Sequence, residues 1–425
     1  MPDAPSADRR TARAESLALI GVALLALVAP LVPGRVTLGP LALDSVILGV
    51  PAALLLAWPL MRALGLRRLP RLGAAAPAIV FLGWLLLSCV ANRNGVGGLM
   101  TWLRYAMYVA FAAAVATVAL DARRRLALMW VFALTGSLNA VHGVYQYFNP
   151  SEQIGLAGLS EDVATRVFST FENPNFFAEF LVLVFAVTLA LAFASRGRAR
   201  FWAVMMLGVQ TLALLLTYTR GSWLALAAGL AVAVLMVDAK LVVPFIAGGV
   251  VMVPVVPGAL DRVLSIFSLE GTAAFRMQLW QVAGTVIGED PLFGFGPGDF
   301  YLAFKSAVLA HPELRPGYLI YGAHNSYFQI GAEAGVVAML AFLMLVFTAC
   351  RMGLFYSVRA GEDRSGRLQN AALTAGLIAF GINALTSNSF QHPRAAVFFF
   401  LLMGLQAGLG AAWWDRVPAP VATPG

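Results

Sequence analysis

The feature that most constrains this chain is a succession of continuous apolar blocks, each about 20 residues long, separated by short polar or basic connections. A block of that length is what a helix needs to cross a bilayer. Inside lipid every backbone N–H and C=O must be satisfied by the protein itself, which leaves helices and closed barrels. Barrel strands alternate apolar and polar residues, and these blocks do not alternate. Charged residues make up 12% of the chain and hydrophobic ones 60%, against roughly 25% charged in a soluble domain. The expected fold is an all-α polytopic membrane protein.

The blocks predict about twelve transmembrane helices, at 17–33, 41–61, 74–91, 99–120, 126–148, 174–195, 201–218, 222–237, 240–257, 326–350, 369–388 and 394–414. The segment between the ninth and tenth is too polar and turn-rich for lipid, and reads as one large loop region with amphipathic helices. Organisation follows: 1–16 before the first helix, 17–257 carrying nine helices, 258–325 the loop, 326–414 the last three helices, and 415–425 a tail.

Basic residues orient this ladder. Of the 29 lysines and arginines, 19 fall on one side, in clusters such as Arg9–Arg13, Arg62–Arg71, Arg123–Arg125, Arg196–Arg200 and Arg351–Arg367. Lys and Arg are retained on the cytoplasmic side, so both termini are expected inside and the 258–325 loop outside. The formal charge of +8 is distributed as these short clusters and does not suggest nucleic acid.

The inside loops carry only arginine clusters beside helix ends. The unusual polar residues fall outside. Arg220 lies in Thr217-Tyr218-Thr219-Arg220-Gly221-Ser222-Trp223, the whole connection between two helices. There it sits near a helix N-terminus, which favours anions, and its planar fork suits phosphate. An interfacial arginine reaching lipid headgroups would read the same way. Arg276 opens an amphipathic stretch, 273–287, with Trp280 one turn on; alone, it reads as a residue on a solvated face. Phe293-Gly294-Phe295-Gly296-Pro297-Gly298-Asp299 reads as a compact bend, with Asp299 capping a short helix.

His324 precedes Ser326-Tyr327-Phe328-Gln329, which fits a capping box at the start of an apolar helix. The positive end of the helix dipole disfavours imidazolium, so a neutral histidine there suits a general base. A loop histidine making local hydrogen bonds is the plainer alternative. Asn173-Pro174-Asn175 starts another helix, with Asn173 a natural cap, and Glu179 one turn further in should face the bundle or the outer vestibule. No HxxH, HExxH or paired Cys/His spacing occurs, so no metal is expected.

Taken in order, Asn173-Pro174-Asn175, Thr219-Arg220-Gly221, Arg276 with Trp280, Gly294-Phe295-Gly296, and His324-Asn325-Ser326-Tyr327 followed by Gly331 and Gly335 resemble the O-antigen ligase family. That superfamily of bacterial membrane glycosyltransferases also holds O-antigen polymerases and O-linked oligosaccharyltransferases. The resemblance implies a GT-C-type protein of the inner membrane, without metal or cofactor, acting on the periplasmic face in lipopolysaccharide biosynthesis. It implies transfer of a glycan from undecaprenyl pyrophosphate to the lipid A–core oligosaccharide. His324 matches the histidine proposed as base, and Arg220 and Arg276 match the arginines proposed to hold pyrophosphate. Further substrate contacts are expected at Asn173, Asn175, Asn325, Tyr327 and Trp280, and a monomer is expected.

A polymerase or a protein O-oligosaccharyltransferase would run the same chemistry on another acceptor. One dominant outer loop favours the ligase. A transporter would call for ionisable groups near the bilayer midplane and related half-repeats, which the sequence does not display.

Overall fold

A computed structural model of the protein describes residues 4–31, 35–38, 41–64, 73–149, 166–171, 173–241, 243, 272–316, 322–359 and 363–414. The helices begin with α1 (Ala4–Leu31), α2 (Ser45–Leu64), α3 (Ala75–Ala91), α4 (Gly95–Val118) and α5 (Ala122–Phe148). They continue with α6 (Pro174–Ala194), α7 (Gly197–Leu216) and α8 (Arg220–Val237). After these come α9 (Thr272–Glu289), α10 (Phe300–Ala310), α11 (Ser326–Arg359), α12 (Arg364–Asn383) and α13 (Pro393–Trp414).

Among the described residues eight helices are long and apolar enough to cross a membrane, which makes this a multi-pass helical membrane protein. Of the twelve expected spans, those at 41–61 and 74–91 are not among the eight and count as shorter apolar helices, Gly49–Pro59 and Ala75–Ala91. Three departures in the course of the chain have physical causes. The helix expected at 41–61 starts at Ser45, because Leu41–Asp44 pairs antiparallel with Arg35–Leu38 in a small hairpin. A short apolar run such as Leu41-Ala42-Leu43 carries no period that separates strand from helix. α12 is not among the eight, since it carries Arg364, Arg367, Gln369, Asn370 and Asn383. It packs between α6 and α8, with Gln369, Asn370 and Asn383 buried in protein and Arg364 exposed at its start. It also ends at Asn383 rather than 388, and the polar run Thr386-Ser387-Asn388-Ser389 folds as a turn. The helix expected at 240–257 lies almost wholly outside the described residues; Ala239–Leu241 forms a 3₁₀ turn.

α13 and α6 form the centre, with 94% and 78% of their apolar windows buried. Phe132 stacks on Phe398 there and both meet Phe180 edge-on, with ring centroids 4.7–5.7 Å apart. Arg394 is fully buried at the start of α13 and works as a staple. Its guanidinium donates to the carbonyls of Ala29, Pro30 and Thr170 and lies over the Phe171 ring at 4.5 Å. A charge so deep is tolerated because its donors are met.

α11 is one helix only in name. Gly335 has φ 82°, ψ 172°, a conformation open to glycine alone, and splits it. Residues 291–298 fill the split. Phe295 and Gly296 donate their N–H groups to the Ala332 and Glu333 carbonyls at 2.9 and 2.8 Å, and Val336 N–H donates to Pro291 O at 2.8 Å. The backbone groups freed by the break are thereby satisfied. A Cβ on Gly294 would stand 2.6 Å from the Glu333 carbonyl carbon, so the bend fits only as glycine. This ties the connection leaving α9 to the first half of α11.

Candidate active site

The Asn-Pro-Asn motif turns the chain into α6. Asn173 Oδ1 accepts from the N–H groups of Asn175 and Phe176 at 2.9 and 3.1 Å, with Pro174 in the first turn. Asn173 is therefore committed to capping. Asn175 Oδ1 instead accepts from Arg166 Nη2 at 2.9 Å. The same guanidinium donates to Thr217 O at 2.7 Å and Thr219 Oγ1 at 2.9 Å. Arg166 thus joins the start of α6 to the turn that presents Arg220.

Arg220 is the first residue of α8, after Tyr218 in the left-handed region at φ 48°. With Arg166, Asn175, Glu179, Thr219, Ser222, Arg276, Asn383 and Ser387 it lines a cavity of about 150 Å³. Glu179 is 1% exposed and faces Ser387 and Ser389, with Arg276 as its cationic neighbour. Arg276 comes from α9, far along the chain, and is brought to the same cavity. Burial and the like charge of Arg220 both push its pKa below the ordinary arginine value, and Glu179 acts the other way. Among the described residues its guanidinium donates no hydrogen bond.

His324 is not among the residues lining this cavity, but it is near enough to Arg276, which is, for that charge to act on it. Burial, and then the Arg276 charge, lower its pKa from 6.5 to about 4, so the imidazole is neutral at neutral pH. Its backbone is left-handed, at φ 49°. The cap that follows differs from the expected capping box by one residue. Asn325 Oδ1, not Ser326, accepts from the N–H groups of Tyr327 and Phe328, at 3.0 and 3.1 Å. Ser326 turns away: its N–H and Oγ donate to the carbonyls of the 384–387 turn, and its Oγ accepts from Phe390 N–H. Two adjacent residues could each cap, and tertiary partners decide between them.

The other expected contacts sit outside the cavity. Tyr327 is 5% exposed and its hydroxyl donates to Gly381 O at 2.9 Å. Trp280 packs α9 on α11 by an edge contact with Phe328, centroids 6.1 Å apart. Asp299 precedes α10 without a side-chain cap bond; the Gly298 N–H beside it goes to Glu333 Oε2 instead. His142 contacts Ser169, His311 sits beside Glu289 and Glu313, and His392 stacks on Phe176. Among the described residues no group of three His, Cys, Asp or Glu side chains could hold a metal ion.

Motif reading missed Arg166, Asn383 and Ser387. Arg166 had one signal, as one of the few arginines on the outer side of the charge ladder. The other two come from α12 and its following turn, which an apolar-block reading treats as an ordinary span.

A protein-family model described as O-antigen ligase matches residues 203–343. That stretch runs from α7 into α11 and contains Arg220, Arg276 and His324; the Asn-Pro-Asn motif lies before it. The match supports the O-antigen ligase family, and with it ligase- or polymerase-type activity. No curated protein searched matches the chain.

Proposed function

We propose that this chain, a membrane protein with the O-antigen ligase match, transfers a glycan from undecaprenyl pyrophosphate to the lipid A–core oligosaccharide. Transfer takes place on the periplasmic face of the inner membrane. The observation that carries the reading is the meeting of Arg220 and Arg276 at one cavity, with the Arg276 charge reaching His324.

The acceptor hydroxyl attacks the anomeric carbon of the donor glycan and gives its proton to His324. The bond from that carbon to the phosphate oxygen breaks, and its electron pair leaves on pyrophosphate. Arg220 and Arg276, with the N-terminus of α8, compensate the negative charge that develops there. The low pKa of His324 fits this order of events. A buried base within reach of the Arg276 charge holds a proton poorly while the cavity lacks an anion. Donor pyrophosphate brings the negative charge that stabilises imidazolium, so the base gains strength when substrate is in place.

The test is transfer by purified protein from undecaprenyl-pyrophosphoryl glycan to lipid A–core, free glycan or a serine-containing peptide, offered separately. Label on lipid A–core is expected. Label on free glycan or on peptide would reassign the chain to the polymerase or protein-modifying reaction, and label on none would remove glycosyl transfer with this donor.

A further inference from the structure

The split in α11 carries more than backbone. Gly298 N–H donates to Glu333 Oε2 at 2.9 Å. Gln329 Nε2 donates to the other oxygen, Glu333 Oε1, at 2.8 Å. Gln329 Oε1 in turn accepts from Ala323 N–H at 3.3 Å. A continuous chain of hydrogen bonds therefore runs from the glycine bend, through two side chains, to the residue before His324. Gln329 is 7% and Glu333 5% exposed, so water does not substitute for a lost partner. The backbone end is close-fitting: a Cβ on Gly322 would stand 3.0 Å from Gln329 Oε1.

We propose that Gln329 and Glu333 are positioning residues that set the backbone bearing His324, an inference that rests on reading His324 as the base. His324 has a left-handed backbone, at φ 49°, which a non-glycine residue keeps only when its surroundings impose it. Two contacts impose it here. On the far side Asn325 locks Tyr327 and Phe328 in the helix cap. On the near side Ala323 is held by Gln329, which is held by Glu333, which is held by the bend leaving α9. The helix carrying Arg276 and the turn carrying His324 are thus registered against each other by side chains that touch neither substrate nor cavity.

Donor and acceptor direction makes this testable. Both Glu333 oxygens accept. In Glu333→Gln one of them becomes an N–H₂ group, and at one end of the chain two donors face each other whichever way the amides turn. In Gln329→Glu two carboxylates face each other. In the double variant Gln329→Glu/Glu333→Gln every hydrogen bond of this chain is met again. The carboxylate introduced at position 329 accepts from Ala323 N–H and from the amide introduced at position 333, whose oxygen accepts from Gly298 N–H.

The experiment measures transfer from undecaprenyl-pyrophosphoryl glycan to lipid A–core by the full-length chain in detergent, per mole of monodisperse protein. Each single variant is expected to lose about 10–100-fold in kcat, the size of a misplaced catalytic group, with KM for the donor little changed. The swap is expected to recover most of that loss. Single variants with near-normal kcat overturn the proposal. So does a monodisperse swap that stays about 10–100-fold below the unsubstituted protein, an outcome that decides the matter even if the singles do not fold. His324→Ala run in parallel separates the two readings. If it is inactive while the singles are normal, only the positioning role fails; if it is active, the base assignment fails first.

Discussion

The two walls of the cavity hold their guanidiniums in opposite ways. On the wall built by α6 and α8, Arg166 donates to Thr217 O, Asn175 Oδ1 and Thr219 Oγ1, and its contacts are internal. On the wall where α9 meets the end of α12, Arg276 donates no hydrogen bond among the described residues and is pressed by the like charge of Arg220. A satisfied guanidinium fixes a frame. One with no hydrogen bond among the described residues, partly buried and facing a cavity, is on the proposed reading kept for a ligand. On the proposed reading the same residue type serves architecture on one side and chemistry on the other.

The largest expected effect tests the chemical wall. His324→Ala should lower turnover by about 10²–10⁴-fold, the usual range for a general base, while thermal stability in detergent is kept. Turnover near normal would remove the contrast at its centre. Next comes the frame: Arg166→Ala leaves a buried carbonyl and an amide oxygen without their charged donor, and should destabilise the protein by about 2–4 kcal/mol, read as a lowered midpoint in chemical or thermal unfolding. Arg276→Lys should leave stability nearly unchanged yet weaken donor binding by about 10-fold, because an ammonium cannot copy the fork. Equal losses of stability at Arg166 and Arg276 would show that the two walls do not differ.

The smallest effect is in the pH profile. With His324 as the proposed base, neutral imidazole is the working form, and it is lost as pH falls through its pKa. With that pKa at about 4 in the free protein, the acid limb of kcat/KM should lie well below the ordinary histidine range. Bound pyrophosphate raises it, so the acid limb of kcat should lie at higher pH than that of kcat/KM. Arg276→Gln removes one cause of the depression and should move the kcat/KM limb upward. A limb that stays put in that variant would place Arg276 out of reach of the base.

Much of this was legible from the chain. Apolar blocks located most helices, because membrane burial acts on long runs and long runs are visible. The polar residues gathered on one side of the charge ladder included Arg220, Arg276 and His324, and two of them do line one cavity. What was hidden depends on partners far away in sequence. Arg166 acquires its role only when α6 and α8 meet. Asn325 wins the cap over Ser326 because the 384–387 turn takes the serine. α12 reads as a span from its apolar residues, but its Asn370 and Asn383 are met by α11 and α8. Gly335 sits in an apolar run where a glycine is ordinarily tolerated; its break becomes evident only with residues 291–298 inserted into it.

That insertion bears on how the protein is made. The carbonyls of Ala332 and Glu333 and the N–H of Val336 find their partners in residues 291–296, not within their own helix. The ribosome delivers that earlier stretch first. When 332–336 emerges it needs the bend already folded and close by, since lipid offers no hydrogen bonds to hold the gap open. Biogenesis of α11 is therefore conditional on the segment before it, and a chain whose bend is delayed would present the insertion machinery with a helix that cannot close its own ladder.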